Sequence, residues 1–361
     1  HLSGKIVIGG TIMQRPKYYV GIDIASQTFT AAAGTDPWKP VVRPRALING
    51  MDSFPKFMSW LLEHDLNREN SVVCMEATGV YNEALAYFLH ANGYRVVVET
   101  PLKVKRAFKP YGPKSDPVDS LQIAEYACRY WDELRFWKPR DEILEQIKVL
   151  LNTREQFVVQ STAHQNALRA LKRKVVRTTI AEQVHVDALK QIKKHIQTIE
   201  AEIRRLIDQD PTFGQMIALL VSIPGVGMLL AAHFLVISYS APEPFSYKEL
   251  TAYLGICPNE HSSGSSRRPY ATSRHFGPSA MRRLLYLAAM SVKTHRPQFH
   301  RYFERKVAQG KPKQLVINNI ANKLVKIMCA VVRNQTPFIP EYRSVNPIVL
   351  KKALTMSSYS Q

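Results

Sequence analysis

Cysteine is scarce in this chain, which has four cysteines among 361 residues. They stand far apart, and no two form the Cys-x-x-Cys pair typical of zinc knuckles. A small domain held together by disulfides would need more cysteines at closer spacing. The four are Cys74, Cys128, Cys257 and Cys329. This usage predicts a protein of the reducing cytoplasm, with neither a disulfide framework nor a zinc knuckle.

Long apolar runs are also missing, although hydrophobic residues make up 45% of the chain. A membrane span needs roughly 18 consecutive apolar residues, and the longest candidate, residues 216–240, is interrupted four times. The interruptions are Pro224, Gly225, Gly227 and His233. We therefore expect a soluble protein with no membrane partner. The first residues lack the order of a signal peptide, which favours a non-native or disordered leader over residues 1–13 and a native start at Met13.

Acidic residues are few, with 29 Asp and Glu against 49 Lys and Arg, which gives a formal net charge of +20. The shortage is greatest between Glu260 and Glu341, where Glu304 is the only acid. Such an excess of positive charge favours phosphate-rich partners, above all nucleic acids. A solvated basic face, or binding to an anionic membrane surface, is the alternative that the composition leaves open.

The pattern of apolar residues in the first third of the chain predicts a mixed α/β sheet. Residues 18–24 and 27–33 fit a β-hairpin, and residues 41–48 fit a third strand. Helices and strands then alternate. The predicted segments are a helix ending at Glu63, a strand over residues 71–75 that ends at Glu76, a helix over residues 82–91 and a strand over residues 94–98.

A change of pattern near Asp141 predicts two long helices. Apolar residues there keep the 4-3 spacing of a coiled coil as far as Val175, and a second seam runs through residues 192–206. Residues 177–180 have weak helix propensity and separate the two. Both a dimerisation arm and an intramolecular helical hairpin fit this pattern, and the sequence does not choose between them.

Four acids are the strongest candidates for chemistry. Asp23 lies in the first strand, Glu76 closes another, and Asp116 and Asp119 stand three residues apart at a helix start. Carboxylates held together repel one another unless cations neutralise them, and oxygen ligands suit Mg²⁺ or Mn²⁺. Two such ions about 3.5 to 4 Å apart activate the attacking oxygen and stabilise the leaving one in phosphoryl transfer.

Each of these acids also fits a purely structural role. Asp116-Pro-Val-Asp119 is a good helix N-terminus, with an acid at the cap and proline in the first turn. Glu76 fits the start of a turn, and Asp23 fits an edge-strand charge. An acid within an apolar strand such as residues 20–24 is costly unless it binds something, and this favours the metal hypothesis.

Three strings carry a resemblance to a known family. They are Tyr19-Val-Gly-Ile-Asp23, Cys74-Met-Glu76-Ala-Thr-Gly79-Val-Tyr81 and Lys114-Ser-Asp116-Pro-Val-Asp119. In order and spacing they resemble the DEDD catalytic domain of the insertion-sequence transposases related to the pilin-gene invertase. The resemblance implies the ribonuclease-H-like fold of Holliday-junction resolvases (RuvC-like), with Asp23, Glu76, Asp116 and Asp119 as the catalytic ligands of Mg²⁺.

The second half resembles the same family in Ile223-Pro-Gly-Val-Gly227, in residues 245–258 and in Ser263-Gly-Ser-Ser266, so the match spans about residues 18–340. The resemblance implies that Ser263 is the nucleophile, and the neighbouring Ser262 is the alternative. A serine hydroxyl needs a base, a metal or positive charge nearby. Arginines close in sequence are candidates for holding the scissile phosphate. They are Arg267, Arg268 and Arg274.

The resemblance also implies partners, because the family uses a bridge RNA that pairs with donor and target DNA and completes its site between protomers. We therefore expect a guide RNA and a homo-oligomer, a dimer or a tetramer. Two basic stripes are candidates for binding nucleic acid, although solvated helix surface fits them equally well. They are Lys103, Lys105, Arg106, Lys109 and Lys114, and Arg169, Lys172, Arg173 and Lys174.

Gly225 and Gly227 form a turn similar to a helix-hairpin-helix motif. Glycines there would let backbone N–H groups approach a phosphate. A plain turn between two helices explains them equally well.

Together these features predict an α/β plus α architecture with three domains. They are a RuvC-like DEDD catalytic domain over residues 14–140, a coiled-coil helical arm over residues 141–212 and a mostly helical transposase domain over residues 213–343, followed by a tail over residues 344–361. The predicted function is DNA recombination in a prokaryotic cytoplasm, at the nucleoid. Two alternatives are a metal-dependent nuclease or junction resolvase that uses water, and a non-catalytic nucleic-acid scaffold.

Overall fold

The computed structural model describes residues 5–8, 11–108, 116–139, 141–239, 246–261, 270–273 and 277–340. The chain divides into two compact units, His1–Arg140 and Asp141–Gln361.

The first unit is built on one five-stranded mixed sheet. The strands of this unit are β1 (Lys5–Ile8), β2 (Thr11–Gln14), β3 (Tyr18–Ile24), β4 (Thr28–Thr35), β5 (Lys39–Ile48), β6 (Ser71–Glu76) and β7 (Arg95–Glu99). Within the described part of the chain, β1 and β2 pair only with each other, and the other five strands form the sheet in the order β5-β4-β3-β6-β7. β4 is antiparallel to both β3 and β5, whereas β3, β6 and β7 are parallel. The predicted mixed α/β sheet is confirmed.

Helices cover both faces of this sheet. They are α1 (Phe54–Glu63), α2 (Glu83–Ala91), α3 (Pro101–Ala107) and α4 (Asp116–Arg129). Strand side chains alternate between the two faces. In β3, Val20 and Ile22 therefore join the core formed with α1 and α2, while Tyr19 joins the core formed with α4. Two hydrophobic cores thus enclose the strands.

The second unit is mostly helical. Its elements are α5 (Glu142–Leu171), α6 (Thr179–Gln209), α7 (Pro211–Val221), α8 (Met228–Tyr239), α9 (Tyr247–Tyr253), β8 (Pro258–His261), β9 (Tyr270–Ser273), α10 (Ser279–His295), α11 (Pro297–Ala308) and α12 (Lys313–Asn334). The Asp141 carboxylate caps α5 by accepting from the amide of Leu144 over 3.0 Å. Asp210 caps α7 in the same way, accepting from two amides.

The two long helices pack against each other as a helical hairpin. Arg154 of α5 donates to Glu200 of α6 over 2.7 Å. Nearer the turn, the Nδ1 atoms of His164 and His185 are 2.8 Å apart. The intramolecular hairpin, one of the two alternatives, is therefore present in the chain, and the dimerisation arm stays a prediction.

Apolar side chains of α5 and α6 and of the shorter helices α7 to α12 form one core. Among the described residues, α12 is long and apolar enough to cross a membrane by length and composition alone. One of its faces, including Ile320, Leu324 and Met328, is buried against the other helices. Core helices of soluble proteins pass the same test, so this helix is weak support for a membrane span.

Candidate active site

Three acids come to the same edge of the sheet, where the three parallel strands end. Asp23 and Glu76 stand one residue beyond the last register pair of β3 with β6. Glu76 is in turn the register partner of Glu99 on β7. Because side chains alternate along a strand, all three acids belong to the face covered by α4. Asp23 and Glu76 are half-buried, and Glu99 is buried.

A glycine allows α4 to lie directly on β3. A Cβ atom at Gly21 would be 2.1 Å from the carbonyl oxygen of Ser120 and 2.3 Å from the amide nitrogen of Ala124. Arg15, which precedes β3, donates to the carbonyl oxygen of Cys128, near the end of α4, over 3.0 Å. The helix therefore runs antiparallel to the strand. Its first turn lies beyond Gly21, toward the carboxyl end of β3.

Asp116 and Asp119 belong to that first turn. The half-buried Asp119 directly precedes Ser120, at the point of closest approach to the strand. Asp116 begins α4, but its side chain lies outside the described part of the chain. Among the described side chains, no three histidines, cysteines or acids are close enough together to hold a metal ion. The fold thus brings Asp119 and the main chain of Asp116 toward the edge that carries Asp23 and Glu76.

Glu99 also belongs to the group of acids at the ends of the parallel strands, and the sequence analysis did not identify it. Its carboxylate accepts from the Thr100 amide over 2.8 Å, the Lys103 ammonium over 3.1 Å and the Tyr126 hydroxyl over 3.3 Å. Burial, and then the charge of Glu99, raise the pKa of Tyr126. Glu99 therefore has three partners within its own unit, which fits a role in fixing α3 and α4 to the strand edge. The signal for it in the sequence was an acid at the end of an apolar strand, the same signal that marked Glu76.

The Cys74 thiol lies on the same face of the sheet as these acids, and their negative charge affects its pKa. Cys74 is fully buried on the α4 face of β6, two residues before Glu76. Burial, followed by the negative charges of Glu99 and Glu76, raises the pKa of this thiol. The thiol therefore stays protonated and unreactive, and the two carboxylates are close enough to act on the same group.

The donor set suits a hard divalent cation. Asp23, Glu76 and Asp119 offer oxygen ligands, the kind that Mg²⁺ and Mn²⁺ prefer. Thr78, two residues after Glu76, has a buried hydroxyl oxygen with no hydrogen-bond partner among the described residues. Such an oxygen would be satisfied by a water molecule or by a ligand at this edge. The kind of ligand atom therefore suits the cation that the sequence predicts, and binding of that cation stays a prediction.

The predicted serine loop falls outside the described residues. Ser262, Ser263, Arg267, Arg268 and Arg274 all belong to undescribed segments. The flanking strands β8 and β9 are described, and they pair antiparallel from Pro258 with Ser273 to His261 with Tyr270. The assignments of the nucleophile and of the phosphate-binding arginines stay predictions.

The two basic stripes have different surroundings. Lys103 forms the ion pair with Glu99 described above, with 59% of its side chain exposed. Lys105 and Arg106 are exposed on α3, whereas Lys109 and Lys114 lie outside the described residues. The second stripe is exposed near the end of α5 and in the turn after it, and consists of Arg169, Lys172, Arg173 and Lys174.

The glycine hairpin between α7 and α8 has a packing explanation for one of its glycines. Gly225 has a φ of +80°, and a Cβ atom there would be 2.7 Å from Val292 Cγ1 and 3.0 Å from the Ala288 carbonyl oxygen. Only glycine therefore fits against α10 at this position. Gly227 faces open space, with nothing within 4 Å of its Cβ position. The packing role applies to Gly225, and approach to a phosphate stays a prediction for Gly227.

Two family models match the chain. Residues 20–177 match a model of DEDD transposases of the IS110 type. Residues 217–304 match the model described as transposase of the IS116/IS110/IS902 family. Between them the two matches cover the candidate acids and the glycine hairpin.

Curated relatives agree with these matches over most of their length. The pilin gene-inverting protein of Moraxella lacunata is 28% identical over 326 residues, which cover 89% of this chain and 98% of the relative. A probable family 20 transposase of Pseudomonas aeruginosa is 25% identical, with the same two shares of 89% and 98%. The transposase for insertion sequence element IS1111A of Coxiella burnetii is 24% identical over 76% of this chain and 78% of its own. The chain belongs to the IS110 family of DEDD transposases, enzymes that act on DNA.

Proposed function

We propose that this transposase cuts and rejoins DNA strands through a phosphoserine intermediate at Ser263, with Asp23, Glu76, Asp116 and Asp119 holding Mg²⁺ or Mn²⁺. One observation carries the metal part of the proposal. Asp23 lies one residue before the end of β3, Glu76 ends the neighbouring parallel strand β6, and α4 approaches that edge with its acidic first turn. The order of the strands also supports a ribonuclease-H-like fold for residues 14–140.

The proposal gives the acids of this edge two different roles. Glu99 is held by Lys103, Thr100 and Tyr126, which favours a supporting role. The four DEDD acids are the proposed ligands, because they come from strand ends and a helix start that converge. When bound there, the cation supplies charge stabilisation to the phosphate oxygens and favours ionisation of an attacking oxygen.

The proposed covalent step conserves atoms and charge. The Ser263 Oγ attacks the scissile phosphorus, so that an Oγ–P bond forms while a phosphorus–deoxyribose oxygen bond breaks. The serine proton passes to a base, and the departing oxygen takes up a proton. A strand hydroxyl then gives up its proton and attacks the phosphoserine, so that the Oγ–P bond breaks, the Ser263 Oγ takes up a proton and the DNA is rejoined. In this proposal Arg267, Arg268 and Arg274 contact the non-bridging oxygens.

The partners of the proposal are donor and target DNA, a guide RNA and further copies of the chain. The net charge of +20 supports binding to phosphate-rich partners. The exposed end of α5 and the turn after it, with Arg169, Lys172, Arg173 and Lys174, offer a surface for the RNA. A homo-oligomer, a dimer or a tetramer, would let the serine loop of one protomer meet the acids of another.

We assign the coiled-coil arm to residues 141–212 and the serine-bearing domain to residues 213–343.

Metal binding and recombination test the role of the strand-edge acids. Asp23→Asn and Glu76→Gln keep side-chain size but remove ligand charge. Both should abolish recombination of the element and weaken Mn²⁺ binding in calorimetric titration. Glu63→Gln, at the exposed end of α1, is the matched control and should behave as the wild type. Wild-type Mn²⁺ binding in both edge variants would contradict the proposal.

A further inference from the structure

Large apolar side chains are exposed on the loops beside the carboxylate edge. Val80 and Tyr81, in the loop that follows Glu76, are 73% and 47% exposed. Ile48 and Met51, at the end of β5 and just after it, are each 65% exposed. A single exposed apolar side chain is ordinary, but a cluster of them marks a surface that meets a partner. We name these four residues the apolar rim.

Asn49 holds the rim together. Its side-chain amide donates to the carbonyl oxygen of Tyr81 over 3.0 Å and to that of Ala25 over 2.9 Å. Its own backbone amide donates to the carbonyl oxygen of Gln27 over 2.8 Å. Ala25 lies two residues after Asp23, so this one side chain joins the loop that follows Asp23 to the loop that follows Glu76. The backbone of Tyr81 is therefore held next to the loop that follows Asp23, so less backbone entropy is lost when a partner binds there.

The loop with Val80 and Tyr81 is not built to bind phosphate. From Glu76 to Tyr94 the chain has neither lysine nor arginine, although the protein as a whole carries a net charge of +20. A phosphate at the acids would belong to a nucleotide whose base, one sugar unit away, lies near the loops that follow Asp23 and Glu76. The flat apolar face of a base fits an exposed tyrosine beside aliphatic side chains.

We propose that the apolar rim is a stacking platform for an unpaired base of the DNA strand whose phosphate lies at the carboxylate edge. The inference rests on the proposed function, because it takes the acids as the place of strand cleavage. A base within a duplex has both faces covered by its neighbours, so the platform selects a nucleotide that has left the stack. Tyr81 supplies the ring, and Asn49 is a positioning residue that fixes the backbone of Tyr81.

Fluorescence of 2-aminopurine tests the platform directly. The probe is a duplex from the terminus of the element with one unpaired 2-aminopurine, mixed with the full-length protein and with Ca²⁺ in place of Mg²⁺ to prevent cleavage. Wild-type protein should quench the base. Tyr81→Ala should remove the quenching and weaken binding to this duplex by about 5- to 150-fold. Its affinity for the same duplex fully paired should not change, and Tyr81→Phe should restore the quenching.

Matched variants separate stacking from a loss of structure. Tyr286→Ala removes a tyrosine of similar exposure, 43%, in the second unit, and should quench as the wild type. Asn49→Asp places a carboxylate oxygen beside the two carbonyl oxygens that the amide now bonds. It should reduce quenching while its thermal melting stays near that of the wild type.

Several outcomes would overturn the inference. Equal losses on paired and unpaired DNA for Tyr81→Ala, or full quenching in that variant, would remove the platform. A loss seen only with an RNA strand of the same sequence would move the base from DNA to RNA and overturn the assignment. If the wild type cleaves DNA and only the platform tests fail, the proposed function stands. Wild-type protein that neither cleaves nor binds Mn²⁺ would instead contradict the proposed function.

Discussion

Replacing Gly21 by alanine should disturb the candidate active site without changing any of its acids. The new Cβ atom would stand 2.1 Å from the Ser120 carbonyl oxygen and 2.3 Å from the Ala124 amide nitrogen. Ordinary contacts lie near 3.5 Å, so α4 must move away from β3 by about 1 Å or more. Both clashing atoms are backbone, and therefore no side-chain rearrangement relieves the contact. Overpacking of this kind costs roughly 1 to 3 kcal/mol.

The displacement also moves the first turn of α4, with Asp119, away from the strand end. A shift of about 1 Å at reacting groups lowers rate by roughly 100-fold, and we expect a loss of that order in recombination. The melting temperature of Gly21→Ala should fall by roughly 3 to 10 °C. Gly50→Ala is the control, because its new methyl would have no neighbour closer than 4.0 Å. Wild-type recombination and melting in Gly21→Ala would refute the close helix–strand packing as the basis of the site.

Three further predictions concern the second unit. Burial lowers the pKa of His233 from its ordinary 6.5 to about 4, so between these pH values the unfolded chain binds a proton that the folded chain does not. The free energy of unfolding should therefore fall by roughly 3 kcal/mol between pH 7 and pH 4. In urea unfolding, His233→Gln should make the free energy of unfolding depend less on pH over this range. Arg283 donates two hydrogen bonds of 2.6 Å to the Glu155 carboxylate. Because the pair is partly exposed, a double-mutant cycle with Arg283→Met and Glu155→Gln should give a coupling energy of about 1 kcal/mol. A coupling energy of zero would contradict the pairing. Gly225→Ala should lower the free energy of unfolding by roughly 1 to 3 kcal/mol, because its new methyl group clashes with α10. Gly227→Ala should leave the melting temperature unchanged. Equal melting temperatures for the two variants would refute the packing argument.

Local patterns predicted the elements of the sheet well. The strand ending at Glu76 and the helix ending at Glu63 both appear where the apolar spacing placed them. The last strand was displaced by one residue, from residues 94–98 to Arg95–Glu99. That shift matters, because it makes Glu99 a strand residue in register with Glu76. Strand ends are set by pairing with a neighbour, which short-range patterns do not encode.

The candidate site was predicted in part, for a physical reason. Asp23 and Glu76 stood out because acids are costly in apolar strands. α4 can approach these acids only because position 21 is a glycine. The sequence does not show this requirement, which comes from the Ser120 carbonyl oxygen of α4 lying 2.1 Å from the place that a Cβ atom of residue 21 would take. The two hydrogen bonds from the Asn49 side chain join loops that are distant in sequence, and no local pattern indicates such a contact. The packing of α5 against α6 as a hairpin likewise rests on contacts between residues distant in sequence, and dimerisation of this arm stays a prediction.

The most direct test of the account is a denaturing gel that detects a covalent protein–DNA adduct in the presence of Mg²⁺. The wild type, Ser263→Ala and Asp23→Ala are compared, with and without co-expressed flanking RNA. The account predicts an adduct in the wild type that disappears in both variants, since the serine forms the bond and Asp23 binds the cation. Cleavage with free ends that survives Ser263→Ala would contradict it, because water would then be the nucleophile.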